Sequence, residues 1–143
     1  MNETLKSGEQ HRIAIYCDGA CEPNPGRMTI GVYCADPLIA ISRDVGPGTN
    51  NVAECLAAIV ALEEAARLGV TCFVLHSDSR LLCNWTSGRY QCPSAAAQQC
   101  IPKIRQLLVD LQAELRWIPG RTNPADGLSR QLLLSPPSQP QNL

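Results

Sequence analysis

The sequence contains no apolar run approaching the roughly 18–20 residues that cross a bilayer. Met1 to Gln10 is polar, without the apolar stretch of a signal peptide. No membrane partner is therefore expected, and the expected location is cytoplasmic. An excess of either charge is also missing. Thirteen acids against twelve bases leave a formal net charge of −1, which excludes the strongly basic character of the simplest nucleic-acid binders. Lysine is nearly absent: Lys6 and Lys103 are the only two, and the other ten bases are arginines. No Cys-x-x-Cys occurs, and His11 and His76 are not spaced with the eight cysteines as zinc ligands would be. There is no internal linker and no repeat, and 143 residues suit one domain with a real core.

Eight cysteines would suggest a disulfide framework if their neighbours were polar. Several sit in apolar runs instead, such as Ile15-Tyr16-Cys17, Val32-Tyr33-Cys34 and Thr71-Cys72-Phe73. There cysteine behaves as a small hydrophobe. Reduced, buried thiols are the leading expectation; one or two incidental disulfides and a structural metal are the weaker alternatives. Residues 1–10 and 135–143 are polar or proline-rich and read as frayed ends around one domain at 11–134, expected to be a monomer.

Strand signals fall at Arg12–Cys17, Thr29–Ala35 and Leu38–Val45, the last two joined as a hairpin across Asp36-Pro37. The first should close at Asp18-Gly19, before a tight Glu22-Pro23-Asn24-Pro25-Gly26 loop. Good helix formers fill Asn51–Leu68, stopped by Gly69. Val70–His76 is an uninterrupted apolar run, expected to be a strand covered on both faces. Helices are expected at Ser79–Thr86, at Ala95–Glu114 with a kink or junction at Pro102, and at Asn123–Leu133, with a fifth strand at Leu115–Ile118. The order βββαβααβα predicts an α/β domain: an antiparallel meander, then crossover units, in a mixed five-stranded sheet flanked by helices.

Four acids stand at informative places, and each has an innocent reading. Asp18 could be a turn residue in Asp-Gly. Glu54 could complete a capping box with Asn51. Asp78 could be an N-cap. Asp126, three residues after Asn123, could simply favour a helix dipole. Taken together they say more. Asp18 and Asp78 end the two most continuously apolar strands, which belong adjacent and parallel at the sheet centre. Ligands of open α/β sheets bind at that carboxyl edge. Glu54 and Asp126 lie in first helical turns that a loop can bring there. Four converging carboxylates repel one another unless cations hold them, and oxygen-only donors select Mg²⁺ or Mn²⁺. Removing the four acids from a net charge of −1 leaves the remainder at +3, which suits a polyanionic substrate.

These residues resemble the type 1 ribonucleases H. The resemblance is carried by Tyr16-Cys17-Asp18-Gly19-Ala20-Cys21-Glu22-Pro23-Asn24-Pro25-Gly26, by Thr49-Asn50-Asn51-Val52-Ala53-Glu54, by Ser77-Asp78-Ser79, and by Trp117 through Ser129 with Asn123 and Asp126 inside. It covers about residues 12–133 in order and spacing. It implies the ribonuclease H-like fold and endonucleolytic hydrolysis of the RNA strand of an RNA/DNA hybrid, leaving 3′-hydroxyl and 5′-phosphate ends. Catalysis in the family uses two divalent cations, Mg²⁺ with Mn²⁺ as a substitute, about 3.5–4 Å apart. By position Asp18 would bridge both ions, Asp78 would be shared or serve the nucleophile side, Glu54 the leaving-group side and a neighbouring 2′-hydroxyl, and Asp126 would complete the nucleophile-side shell. Gly19, Asn24, Thr49, Asn50 and Asn51 fall at positions expected to meet the hybrid, with turn and cap roles as the plain alternative for the asparagines. Arg80 stands where glutamine is more usual and could add a phosphate contact. Tyr90 and Trp85 could stack on or brace the DNA strand, core packing being at least as good a reading for Trp85.

Two departures separate this chain from many members. The loop before the last acid has Arg121 nearest the slot of a histidine, and arginine offers a fixed charge rather than a titrating proton. Trp85 to Ala97 contains one base, Arg89, so the family's basic protrusion is missing. Two other functions fit the same residues. One is another nuclease of the same fold, acting on double-stranded RNA or DNA junctions; the other is a non-catalytic hybrid-binding module.

Overall fold

The computed structural model describes residues 12–132. Strand β1 (Ala14–Glu22) buries Ile15 and Cys17 completely, and its neighbour β2 (Gly26–Cys34) buries Ile30 and Val32. They pair antiparallel from Ile15–Cys34 to Glu22–Arg27, closed by Pro23-Asn24-Pro25, whose prolines have no N–H to give a ladder. β3 (Ile39–Gly48) pairs antiparallel with β2, with a register shift at Met28/Thr29. β4 (Val74–Ser77) and β5 (Glu114–Trp117) add parallel strands beside β1, giving the order β3-β2-β1-β4-β5. Pro47 is tolerated because β3 is an edge strand.

The buried side of helix α1 (Asn50–Arg67) is mostly of small residues, Ala53, Cys55, Ala57, Ala58, Ala61 and Ala65, and the helix packs on β1 and β2. Small side chains let the helix axis lie close to the sheet. Leu62 on that face is fully buried, worth about 1.5–3 kcal/mol of hydrophobic transfer. α2 (Arg80–Ser87) and α3 (Ala95–Asp110) complete this layer, α3 packing on α1. A single 3₁₀ turn (Gly120–Thr122) leads to α4 (Ala125–Gln131), which packs on β1, β2 and β3. Alternation along β1 sends Cys17 and Gly19 toward α1 and Asp18 toward α4, so the helices sit on both faces of the sheet. The element order and the mixed five-stranded sheet are as expected.

Several boundaries differ for identifiable reasons. β1 does not stop at Asp18-Gly19 but runs on to Glu22, because Gly19 serves a close helix contact rather than a turn. Val70–Phe73 is not strand. Gly69 and Cys72 take positive φ values of 73° and 57°, and the Val70 N–H is spent on the Ala65 carbonyl in closing α1. Pro102 does not divide its helix. Its missing N–H forfeits one bond to the Gln98 carbonyl, while Ala97, Ile101 and Ile104 stay buried on either side of it. The last helix starts at Ala125, with Asn123 Oδ1 accepting from the Ala125 N–H.

All eight cysteines are thiols. Five are buried, Cys83 and Cys100 are half-buried and Cys72 is exposed. Trp85 is core, 4% exposed. Among the described residues no helix is long and apolar enough to cross a membrane. The expected frayed ends, 1–10 and 135–143, lie outside the described residues.

Candidate active site

The parallel pairing of β1 with β4 ends at Cys17–Ser77, so the next residue on each strand, Asp18 and Asp78, emerges at the same sheet edge. Glu54 arrives from the first turns of α1, where the Gly19 N–H donates to its Oε1 at 2.9 Å. Only glycine permits this approach. A Cβ on residue 19 would lie 2.3 Å from the Ala53 carbonyl carbon and 2.5 Å from the Glu54 nitrogen. One carboxylate oxygen from each of Asp18, Glu54 and Asp78 falls within 4.8 Å of the other two, a group that could hold a metal ion. They line a cleft of about 490 Å³ together with Asp126, Gly19, Asn50, Gly120 and Arg130. Asp126 is in the cleft but outside the close trio; the Arg130 Nε donates to its Oδ1 at 3.2 Å.

The innocent readings of Asp18, Glu54 and Asp78 are set aside by the structure around them. Thr49, not Asn51, caps α1 by accepting from the Val52 N–H, so Glu54 closes no capping box. Ser79, not Asp78, caps α2. Asp18 lies inside a strand and makes no turn. Asp126 does sit in the first turn of α4, where the dipole reading holds as well.

Burial and mutual repulsion set the electrostatics. Asp18 is 4% exposed, and burial, then the nearby Asp78 and Asp126, hold its carboxyl far above the usual range, with the Ser129 hydroxyl pulling the other way. Burial, reinforced by Asp18 and Asp78, pushes Glu54 up to about 9. Acids that resist ionisation in one cleft lack a positive partner, and a divalent cation supplies one.

The remaining expected residues divide in two. Gly19 and Asn50 line the cleft. Asn24 adjoins it, its Oδ1 accepting from the Asn50 N–H at 3.1 Å, and Thr49 and Asn51 flank Asn50 on exposed positions. Arg80, Tyr90 and Arg121 are not brought into the cleft. The Arg80 guanidinium carbon lies over the Trp117 ring, 3.8 Å from its centroid. Tyr90 is 53% exposed in a separate depression beside Trp85 and Arg105. Arg121 is exposed on the 3₁₀ turn next to Gly120.

Residues outside the expected set hold the acids in place. Asn123, buried, donates through Nδ2 to the Cys17 carbonyl at 3.0 Å and to Asp78 Oδ2 at 3.2 Å. The Trp117 indole N–H donates to the Asp78 carbonyl at 3.1 Å. The Ser129 hydroxyl lies 2.5 Å from Asp18 Oδ2. Asn123 and Trp117 sat in the motif around Asp126, yet nothing in residue spacing says which neighbours a side chain will bond.

Fold and site together define a class: α/β domains with a mixed sheet whose edge gathers acids around a cation-binding cleft. Comparison with known proteins narrows it. The family described as RNase H matches residues 10–130. Ribonuclease HI of Halobacterium salinarum is 32% identical over 128 residues, covering 85% of this chain and 64% of the relative. A bifunctional protein of Mycobacterium tuberculosis is 31% identical over 136 residues, and there the match spans only 35% of the relative's length. Among solved structures, the Halobacterium salinarum RNase H1 superposes with a TM-score of 0.77 at 30% identity, covering 85% of this chain and 97% of that one. LC11-RNase H1, in complex with an RNA/DNA hybrid, gives 0.77 at 30% identity, covering 87% of this chain and 100% of its own. The chain belongs to the ribonuclease H family.

Proposed function

We propose that this chain is an endonuclease that hydrolyses the RNA strand of RNA/DNA hybrids, leaving 3′-hydroxyl and 5′-phosphate ends. The observation that carries the reading is the convergence of Asp18, Glu54 and Asp78, from three separate elements, to within 4.8 Å at one sheet edge. The donors there are hard carboxylate oxygens, which fits Mg²⁺ or Mn²⁺ rather than a soft metal. Asp18, Glu54, Asp78 and Asp126 would hold two such ions. When bound, divalent ions lower the pKa of an attacking water and neutralise charge on the phosphate and the departing 3′-oxygen.

The chain's own groups do the rest. Asn123 and Trp117 hold Asp78 from two sides, and the Gly19 N–H fixes Glu54. Gly19, Asn24, Thr49, Asn50 and Asn51, at or beside the cleft, would contact the hybrid through groups that donate and accept without adding charge. Arg80, Tyr90 and Arg121 would meet the duplex outside the cleft, the two arginines at phosphates. Choice of RNA over DNA must rest on the 2′-hydroxyl, which only ribose carries. A monomer working in the cytoplasm completes the reading, and eight thiols fit a reducing compartment. The test is a substrate panel in Mg²⁺: hybrid, double-stranded RNA and a four-way DNA junction. Cleavage confined to the RNA of the hybrid is expected. Junction or double-stranded RNA cleavage in its place would assign another nuclease of this fold, and tight hybrid binding without cleavage would assign a binding module.

A further inference from the structure

Side-chain hydrogen bonds cross the interface between α4 and the sheet at two places: at its edge the Ser42 hydroxyl donates to the Leu128 carbonyl at 2.7 Å, and the other place is buried. Thr29 and Ser129 are both fully buried there, and Asp18 lies beside them at 4% exposure. A hydroxyl in such an interface costs stability unless it is bonded, and alanine would fill the position of Ser129 without that cost. Here the hydroxyls are chained. Thr29 Oγ1 donates to the Ser129 carbonyl, and the Ser129 hydroxyl stands 2.5 Å from Asp18 Oδ2 and 2.9 Å from the Asp126 carbonyl. It has one proton to give, and the nearer acceptor is the carboxylate oxygen, which also binds a proton more strongly when ionised. Gly31, opposite Asp18 in the ladder, sets the height of the contact: a Cβ there would come within 2.6 Å of the Ser129 nitrogen.

We infer that Ser129 is a positioning residue that holds Oδ2 of Asp18 and so presents the other carboxylate oxygen to a divalent cation, with Thr29 fixing the backbone of Ser129. This rests on the reading of the acids as cation ligands. Groups that orient a ligand from behind change metal affinity about 10–100-fold when removed. Ser129 does not itself line the cleft, so its hydroxyl acts on a cation through Asp18.

The experiment is Mn²⁺ titration of the free protein by calorimetry, with no hybrid present, on wild type, Ser129→Ala and Ser129→Cys. Alanine removes the donor; cysteine fills the space and is a poor donor, so the pair separates hydrogen bonding from packing. Both variants are expected to bind Mn²⁺ about tenfold more weakly than wild type, to need correspondingly more Mg²⁺ for half-maximal cleavage, and to keep the wild-type KM for hybrid at saturating metal. Wild-type affinity in Ser129→Cys, or in both variants, overturns the assignment, leaving Ser129 a packing residue. A wild-type protein that takes up no Mn²⁺ overturns the cation reading of the acids and this inference with it.

Discussion

Asp18 and Glu54 pose the electrostatic problem this chain has to solve. Both are held back from ionising by burial first and by neighbouring carboxylates second. In the folded state they keep protons that the unfolded chain has already released, so the native form binds more protons and stability falls as pH rises. Their stabilising protonation is complete below the ordinary carboxylate range and is lost as pH approaches the folded value, about 9 for Glu54. In chelator, the thermal midpoint is therefore expected to drop by several degrees between pH 5 and 9. Asp18→Asn should flatten that slope and Mg²⁺ should reverse it; a midpoint that rises with pH in chelator would contradict the electrostatic account. The four acids were legible because four ordered motifs carried them. Ser129 and Asn123 were not, because a hydroxyl or amide declares its partner only once strands and helices have been laid against one another.

At the scale of elements, the site depends on how closely α1 approaches β1. Gly19 is the pivot: it clears the Ala53 and Glu54 backbone and gives its N–H to Glu54. Gly19→Ala is expected to push α1 off the strand, lower the thermal midpoint by about 5 °C or more and reduce cleavage by at least tenfold. Circular-dichroism melting and a cleavage assay on the same sample check it; a variant with wild-type melting and activity would show that the contact is loose. The elements themselves were largely readable from periodicity and capping residues. The misreadings share one physical cause, which is packing overruling a local signal. Gly19 looked like a turn and serves as a helix contact. Pro102 read as a kink or a junction, and no junction forms there, the helix running on with buried residues on both sides. Val70–Phe73 looked extended, and two positive-φ residues bend it to close α1 instead.

For the whole molecule, the near-neutral net charge conceals a division of labour. Among the described residues the cleft gathers five carboxylates, Glu22 joining the four acids, and the one base lining it, Arg130, is already bonded to Asp126. Such a surface repels a phosphate backbone until cations occupy it, so in the proposed function affinity for hybrid and catalysis would depend on the same ions. The measurement that tests this most directly is single-turnover cleavage of a hybrid labelled on its RNA strand, run across a Mg²⁺ titration with wild type and Asp18→Asn. Wild type is expected to cut the RNA strand alone, to require Mg²⁺ and to stop in chelator, while Asp18→Asn stays below a few percent of that rate at every Mg²⁺ concentration. Cleavage that persists in chelator, or an Asp18→Asn variant that retains substantial activity, would contradict the account.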